Sequence, residues 1–116
     1  MSAKSAGHGT GHFIAERLTA ILLLFLTPWF MISAAMSLDG TFEAARLWLA
    51  SPLNAIGVGL FLLISLHHMR LGVQVIAEDY LTKVGTRRLV LGVNTLITLL
   101  AAAVGVFALY KISLGG

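Results

Sequence analysis

Apolar residues fill three stretches of this chain, and each stretch is long enough to cross a lipid bilayer. They run from about 17 to 38, 52 to 81 and 87 to 111, with polar residues concentrated between them. Because about 20 apolar residues span the hydrocarbon core as a helix, the pattern predicts three transmembrane helices. Residues 41–50 mix apolar and charged positions and predict a short helix at the interface. The predicted fold class is an all-α membrane protein.

Turn-forming and capping residues refine the predicted ends of these helices. Ser51 followed by Pro52 is typical of a helix N-cap and first helical position. Pro28 lies inside the first crossing, where the missing backbone donor predicts a kink. Between the second and third crossings, Gly85 is expected to form the turn and Thr86 to cap the next helix.

Composition supports the membrane assignment and indicates which classes of partner the chain can bind. Of 116 residues, 58% are hydrophobic and 11% charged, whereas soluble domains carry about 25% charged residues. The chain has no cysteine, which excludes disulfides and thiolate metal sites. No basic patch is interleaved with aromatic residues, so the lipid bilayer is an expected partner and nucleic acid is not. Without repeats or a linker, 1–116 is expected to form one membrane-anchor domain, a 1–16 segment followed by the 17–116 transmembrane unit.

The distribution of basic residues predicts the orientation. One side of the membrane would hold Lys4, Arg17, Lys83, Arg87 and Arg88, and the other only Arg46 and Lys111. By the positive-inside rule, the N-terminus faces the cytoplasm or matrix and the C-terminus the opposite compartment. Residues 1–16 have no apolar core of the kind a cleaved secretory signal needs, so we expect them to stay on the inner side.

The second crossing carries the candidate chemistry, because ionisable groups at membrane depth are costly and rare. His68, Gly72, Val75 and Asp79 share one helix face. A neutral imidazole in an apolar slot suits axial ligation of heme b, and Gly72 would let the flat macrocycle approach. The alternative is a histidine that hydrogen-bonds a neighbouring helix.

Only one of the two adjacent histidines can serve one iron. Neighbouring helical residues point about 100° apart, so His67 and His68 cannot ligate the same iron. No other histidine lies in a crossing segment, since His8 and His12 are in the N-terminal segment. A bis-histidine heme would therefore take its second ligand from another polypeptide.

Other polar residues could surround such a heme or a quinone. Arg17 could bind a heme propionate, although an interfacial arginine often only snorkels. Arg70 lies deeper, where propionate or quinone contacts are plausible. Tyr80 could donate a hydrogen bond to a quinone carbonyl while Asp79 relays protons; the alternative is an interfacial tyrosine beside a helix-end acid. The macrodipole disfavours acids at a helix C-terminus, which favours a functional role.

These motifs together resemble a known family. His68-x-x-x-Gly72 followed by Glu78-Asp79-Tyr80, with Arg17-x-Thr19-Ala20 at the first crossing, resembles the small cytochrome b anchor of succinate dehydrogenase. More narrowly, it is similar to the polypeptide of that enzyme known as the hydrophobic membrane anchor. The resemblance covers nearly the whole chain, and the spacing of His68 to Asp79-Tyr80 is its most specific part.

The resemblance implies a subunit of succinate:ubiquinone oxidoreductase, respiratory complex II, in the bacterial inner membrane. In that family a flavoprotein subunit oxidises succinate, an iron–sulfur subunit passes electrons on, and two anchors hold heme b and shape the ubiquinone site. By position, His68 would be the iron ligand, Arg17 would face the propionates, Tyr80 would bind the quinone, and Asp79 would deliver protons. Succinate chemistry would not occur on this chain.

Three alternatives remain open from the sequence. A quinol:fumarate reductase anchor would run electrons in the reverse direction. A heme-free small membrane transporter subunit would use Arg70, Glu78 and Asp79 as a proton path. A purely structural anchor would have lost its heme but still dock a soluble enzyme.

Overall fold

The fold consists of four helices in chain order. The structure, a computed structural model, describes residues 3–115, with side chains from residue 10 onward. The helices are α1 (Ala3–Ser37), α2 (Phe42–Leu49), α3 (Pro52–Tyr80) and α4 (Val84–Ser113). Within residues 3–115 there is no strand. Three helical segments, Thr10–Ser37, Pro52–Tyr80 and Val84–Ser113, are long and apolar enough to cross a membrane. The predicted all-α fold with three crossings and a short fourth helix is confirmed.

Two helix starts differ from the expected ones. α1 continues far upstream of residue 17, so the expected N-terminal segment is largely helical; the side chains of Lys4 and His8 lie outside the described part. α4 begins at Val84, with Lys83 at the N-cap position. The expected turn at Gly85 and cap at Thr86 were therefore wrong. Glycine carries its own N–H and weakens a helix by only about 1 kcal/mol relative to alanine, so Gly85 does not prevent the helix from starting upstream of it.

α3 is the central helix of a flat layer. It packs against α1 and α4, whereas α1 and α4 make no contact with each other within the described residues. The residues of α3 that meet α1 and those that meet α4 lie about 180° apart around its axis. His68 faces α1, and Gly59 faces Leu109 of α4. Between α1 and α4, two sides of α3 are consequently left open, except near the start of α3, where α2 also contacts it.

The layer buries very little. Among the described residues only Thr19, Leu71, Ala77 and Thr98 are buried. Large apolar side chains such as Phe25 and Met36 are exposed. In water such a surface would be an association or aggregation site, but it suits contact with lipid tails and other membrane helices.

An aromatic cluster, formed by Trp29, Phe30, Trp48 and Phe61, ties α2 to α1 and α3. The rings of Phe30 and Phe61 stack with centroids 4.8 Å apart, and those of Trp29 and Trp48 with centroids 6.2 Å apart. A Cβ on Gly57 would overlap the Trp29 indole. Glycine is therefore required where Trp29 of α1 meets α3 beside the cluster.

The turn before α2 is stabilised by hydrogen bonds to its own side chains. The hydroxyl of Thr41 donates to a carboxylate oxygen of Asp39 at 2.6 Å and accepts from the amide of Ala44 at 3.1 Å. The backbone amide of Thr41 also donates to Asp39, at 2.9 Å, and the two bonds from the hydroxyl and the amide lower the pKa of Asp39 from its ordinary value. Within α2, Arg46 binds Glu43 through two N–H···O bonds and lowers the pKa of that carboxyl. The short helix expected at residues 41–50 is thus capped at its N-terminus.

Candidate functional site

The central contact of the candidate site joins α1 to α3. The hydroxyl oxygen of Thr19 lies 2.7 Å from Nδ1 of His68. Thr19 is buried, and the same hydroxyl lies 2.8 Å from the carbonyl oxygen of Ala15 and 3.0 Å from that of Glu16. The histidine ring is therefore fixed from the α1 side by a side chain that is itself fixed by its own helix.

This geometry determines which ring nitrogen of His68 carries the proton. A hydroxyl has one hydrogen to donate, and two carbonyl oxygens already lie within donating distance of Thr19. If the hydrogen pointed at His68 instead, the hydroxyl oxygen would face both carbonyls without a proton between them. We therefore assign the hydrogen to a carbonyl and the Nδ1–H of His68 as donor to Thr19. In the neutral ring, Nε2 then carries the free lone pair.

The two histidines differ in their surroundings. Nε2 of His68 has no hydrogen-bond partner among the described residues and is not enclosed there, since the one enclosed unpartnered side-chain atom is Nε2 of His12. His67 is exposed and has no bonding partner within residues 10–115. The sequence spacing favoured His68 as the ligand, and the contact with Thr19 supports the same choice.

Gly72 lies one turn beyond His68, rotated about 40° from it around the helix axis. No atom of the described chain lies within 4 Å of the position that a Cβ would occupy there. Space for a flat group is thus available against the backbone of α3, next to the histidine.

Arg17 is not brought to His68 by its own helix. It is exposed, and its guanidinium carbon lies 5.1 Å from the ring centroid of Phe13. Because two helical residues correspond to a rotation of about 200°, Arg17 points away from the side of α1 on which Thr19 meets α3. Any anion that it binds approaches from outside this chain.

Asp79 and Tyr80 lie where α3 ends. Both are exposed, and 79% of Tyr80 is accessible. A cavity of about 220 Å³ adjoins Tyr80. It is lined by Tyr80, Leu81, Thr82, Lys83 and Thr86. A phenol, two hydroxyls and an ammonium group are therefore available around a space that could admit one side of a small ring.

A second histidine lies toward the N-terminal end of α1. Nε2 of His12 is enclosed, has no hydrogen-bond partner among residues 10–115 and lies 3.6 Å from a carboxylate oxygen of Glu16. Seven residues, about two turns, separate His12 from Thr19, so both occupy the same side of α1. His12 therefore lies on the side of α1 that faces α3, in the contact zone that we call the α1–α3 seam, but it does not reach His68.

Sequence reasoning missed two residues that hold α3 in place. Thr19 entered only as part of the Arg17-x-Thr19-Ala20 motif, and Asn94 was not among the candidate residues. The amide of Asn94 donates to the backbone carbonyl of Arg70 at 3.0 Å. Polar side chains inside apolar spans often bond across helices, and this was the available signal for both residues.

Fold and site together define a class, a multi-pass helical membrane protein with a histidine held between two of its helices. Residues 2–109 match the family model described as the succinate dehydrogenase/fumarate reductase transmembrane subunit. The chain belongs to that family.

The relatives agree on the kind of subunit. A succinate dehydrogenase hydrophobic membrane anchor subunit of Paracoccus denitrificans is 30% identical over 96% of this chain and 85% of its own. Its counterpart in Rickettsia bellii is 31% identical over 91% and 85%. The one in Rickettsia conorii is 32% identical over 70% of this chain and only 63% of its own length. No solved structure matches the chain. The chain is a membrane-anchor subunit of succinate dehydrogenase, and this implies a complex with other subunits.

Proposed function

We propose that this chain anchors a succinate:ubiquinone oxidoreductase to the membrane, ligates heme b through His68 and contributes Tyr80 and Asp79 to the ubiquinone-reduction site. A second cytochrome b anchor subunit would supply the other axial ligand. The iron–sulfur and flavoprotein subunits would dock on the inner side, and the flavoprotein would carry out succinate oxidation.

The observation that carries the heme proposal is the contact between Thr19 and His68. Axial ligation requires a neutral imidazole with a free nitrogen, and metal-bound histidines usually donate their other N–H to a nearby acceptor. The hydroxyl of Thr19, 2.7 Å from Nδ1, is such an acceptor and leaves Nε2 available. The open position beside Gly72 supports the fit of a flat group. Bound there, heme b would supply a one-electron redox centre within the membrane.

The quinone proposal rests on the end of α3. Tyr80 presents a hydroxyl next to a cavity that also contains Lys83 and Thr86. A phenol donates a hydrogen bond to a quinone carbonyl, and a carboxylate such as Asp79 takes up and passes on protons. Since both residues are exposed, the rest of the pocket would come from the other subunits.

The orientation follows from charge. The α3–α4 connection and the start of α4 carry Lys83, Arg87 and Arg88, which favours the inner side of a bacterial membrane for this end. The N-terminus would share that side, and the C-terminus would face the periplasm. Asp79 and Tyr80 would then lie where soluble subunits deliver electrons.

Electron flow from succinate to quinone is supported by the relatives, which are all succinate dehydrogenase anchors. Electron flow in the reverse direction, as in a quinol:fumarate reductase, is the second candidate, because the family description also includes fumarate reductase. Membership of this family speaks against the third candidate, a heme-free transporter subunit. A structural anchor without heme is distinguished by the experiment below.

The test is a reduced-minus-oxidised visible spectrum of the purified complex, with His68→Ala and His67→Ala variants beside the wild type. We expect the low-spin b signal to be lost in His68→Ala and retained in His67→Ala, because only His68 has its Nδ1 held by α1. Subunit recovery, checked in each preparation, separates heme loss from failed assembly.

Two results would contradict the proposal. An unchanged b spectrum in an assembled His68→Ala complex would exclude His68 as the ligand. A wild-type complex that assembles without heme would leave the structural anchor as the function.

A further inference from the structure

Polar side chains other than the site residues are gathered on one lateral side of α3. Taking His68 as the reference, His67, Arg70, Gln74 and Glu78 fall between about 80° and 160° around the helix in one direction. At the same angles in the other direction lie Val58, Leu62, Met69, Val73, Ile76 and, at the helix end, Tyr80. We call the first group the polar side of α3. Apart from Tyr80, the residues named on the opposite side are all apolar.

The polar side lies deep within the crossing. At about 1.5 Å per residue, His67 is about 20 Å, Arg70 about 15 Å and Gln74 about 9 Å from the end of α3. His67 is therefore close to the middle of the 29-residue helix. Glu78 lies nearer the headgroups, where a carboxylate can be hydrated.

The chain itself does not satisfy these groups. Gln74 donates to a carboxylate oxygen of Glu78 at 3.0 Å, which is the one side-chain bond among the four residues. The His67 ring and the Arg70 guanidinium have no partner among residues 10–115; only the backbone carbonyl of Arg70 is bonded, to Asn94. Lipid tails offer neither donors nor acceptors, so the exposed imidazole of His67 and the partly exposed guanidinium of Arg70 require another source of them at this depth.

None of the neighbouring helices provides it, since α2 contacts α3 near its start at Asn54, far from Arg70. α1 and α4 occupy the faces of α3 about 180° apart and do not meet, so the polar side between them remains open. His67 and Glu78 are exposed there, together with the apolar Ile56, Leu60 and Leu63.

We propose that the polar side of α3 is the surface on which a transmembrane helix of another subunit of the complex packs. That helix would carry a carboxylate or other acceptor at the level of Arg70 and a hydrogen-bonding group at the level of His67. Closer to the start of α3, Ile56 and Leu60 would form the apolar part of the contact. The apolar side at Met69 and Ile76 would face lipid. This inference rests on the family's assembly with other subunits but not on heme or quinone binding.

The test compares photo-crosslinking from the two sides of α3 in the native complex. Benzoylphenylalanine is introduced in place of Leu63 on the polar side or, as the matched control, of Met69 on the opposite side. Their exposed fractions are similar, 42% and 46%, and neither residue belongs to the proposed heme or quinone site. We expect Leu63 to crosslink to a transmembrane helix of another subunit, identified by mass spectrometry, in at least several-fold higher yield than Met69.

Three outcomes would overturn the proposal. Crosslinking to another subunit from Met69 but not from Leu63 would place the contact on the wrong side. Equal yields from both sides would show that the polar side is not distinguished. Crosslinks between two copies of this chain would replace the other subunit by a homodimer.

A pair of substitutions separates this proposal from the heme proposal. Gln74→Leu and Arg70→Leu make the helix more apolar, so insertion into the membrane should be preserved. We expect each to reduce the amount of other membrane subunits recovered with this chain several-fold, whereas Ile76→Ala should not. A complex that lacks the b signal yet crosslinks from Leu63 would contradict the heme proposal alone, and unchanged recovery in both leucine variants would contradict the interface alone.

Discussion

Thr19 and His68 are 49 residues apart in the chain, and the hydroxyl of the first lies 2.7 Å from the ring nitrogen of the second. The contact joins α1 to α3 within their membrane-spanning segments, and it leaves only one nitrogen of the histidine available. A small hydroxyl on α1 thereby sets the chemistry of a ring on α3.

Removing this hydroxyl should weaken heme retention without removing the ligand. Thr19→Val keeps the shape of the side chain but leaves Nδ1 of His68 without an acceptor. Loss of such a partner to a metal-bound histidine typically costs about 10- to 100-fold in affinity. We expect the b signal of the purified complex to fall during dilution or mild heating faster than in the wild type.

Thr19→Ser is the matched control, because it keeps the hydroxyl and removes only a methyl group. Its heme retention should remain close to that of the wild type. If Thr19→Val and Thr19→Ser lost heme at the same rate, packing rather than the hydrogen bond would be responsible.

Replacing Tyr80 by phenylalanine should impair quinone reduction specifically. A lost hydrogen bond is worth about 0.5–1.5 kcal/mol, so we expect kcat/KM for ubiquinone to fall by up to about tenfold. Succinate oxidation with an artificial acceptor that bypasses the quinone site should be unchanged. The assay compares both activities in the same preparation.

Tyr110 offers the control for this prediction. It is the only other tyrosine of the chain, it is exposed, and it lies near the opposite end of the layer. Tyr110→Phe should leave both activities at the wild-type level. Equal losses in the two variants would speak against a specific role of Tyr80.

A methyl group at Gly57 should destabilise the α1–α3 seam. The added Cβ would overlap the Trp29 indole, which is rigid and stacked on Trp48. Overpacking of this kind costs about 1–3 kcal/mol. We expect Gly57→Ala to lower the Tm of the detergent-solubilised complex.

Gly92→Ala is its control, since nothing lies within 4 Å of a Cβ there. Alanine is the better helix former by about 1 kcal/mol in a helix interior, so this variant should be neutral or slightly stabilising. A Tm equal to that of the wild type in Gly57→Ala would mean that α1 moves away from α3 at little cost.

The turn before α2 should respond to pH through Asp39. Hydrogen bonds from Thr41 lower the pKa of Asp39 below its ordinary value of 3.8. A lowered pKa means that the ionised carboxylate stabilises the folded turn. This contribution is complete above the unfolded value and is lost as pH falls through the lowered folded value.

Thr41→Val should therefore raise the pKa of Asp39 toward 3.8. A carbon-13 titration of aspartate carboxyls measures this directly, because Asp39 and Asp79 are the only aspartates of the chain. Asp79, at the other end of α3, serves as the internal reference. An unchanged Asp39 titration in the variant would exclude the Thr41 hydroxyl as a cause of the shift and leave the backbone amide, which valine retains.

Local patterns predicted the helices well, because apolar composition alone decides what crosses a bilayer. Ser51-Pro52 marked the start of α3 correctly. Gly85 misled the prediction, because glycine is as compatible with a first helical turn as with a loop. The spacing of His68 to Asp79 and Tyr80 identified the candidate residues on one helix.

Contacts between helices could not be obtained in the same way. The role of Thr19 depends on how far α1 is rotated and shifted along α3, and no pattern within either helix contains that information. The same holds for the layer itself: three apolar helices of this length could equally pack as a closed bundle. The polar side of α3 becomes visible only when the faces occupied by α1 and α4 are known.

The flat layer has a consequence for the life of this polypeptide in the cell. Since only four described residues are buried, packing between its own helices stabilises the chain little, and further protein–protein packing comes only with assembly. An unassembled copy would display an imidazole and a guanidinium to the bilayer, features by which membrane quality-control proteases can distinguish orphan subunits. Cellular abundance of the chain should then follow synthesis of the rest of the complex, with surplus copies degraded rather than stored.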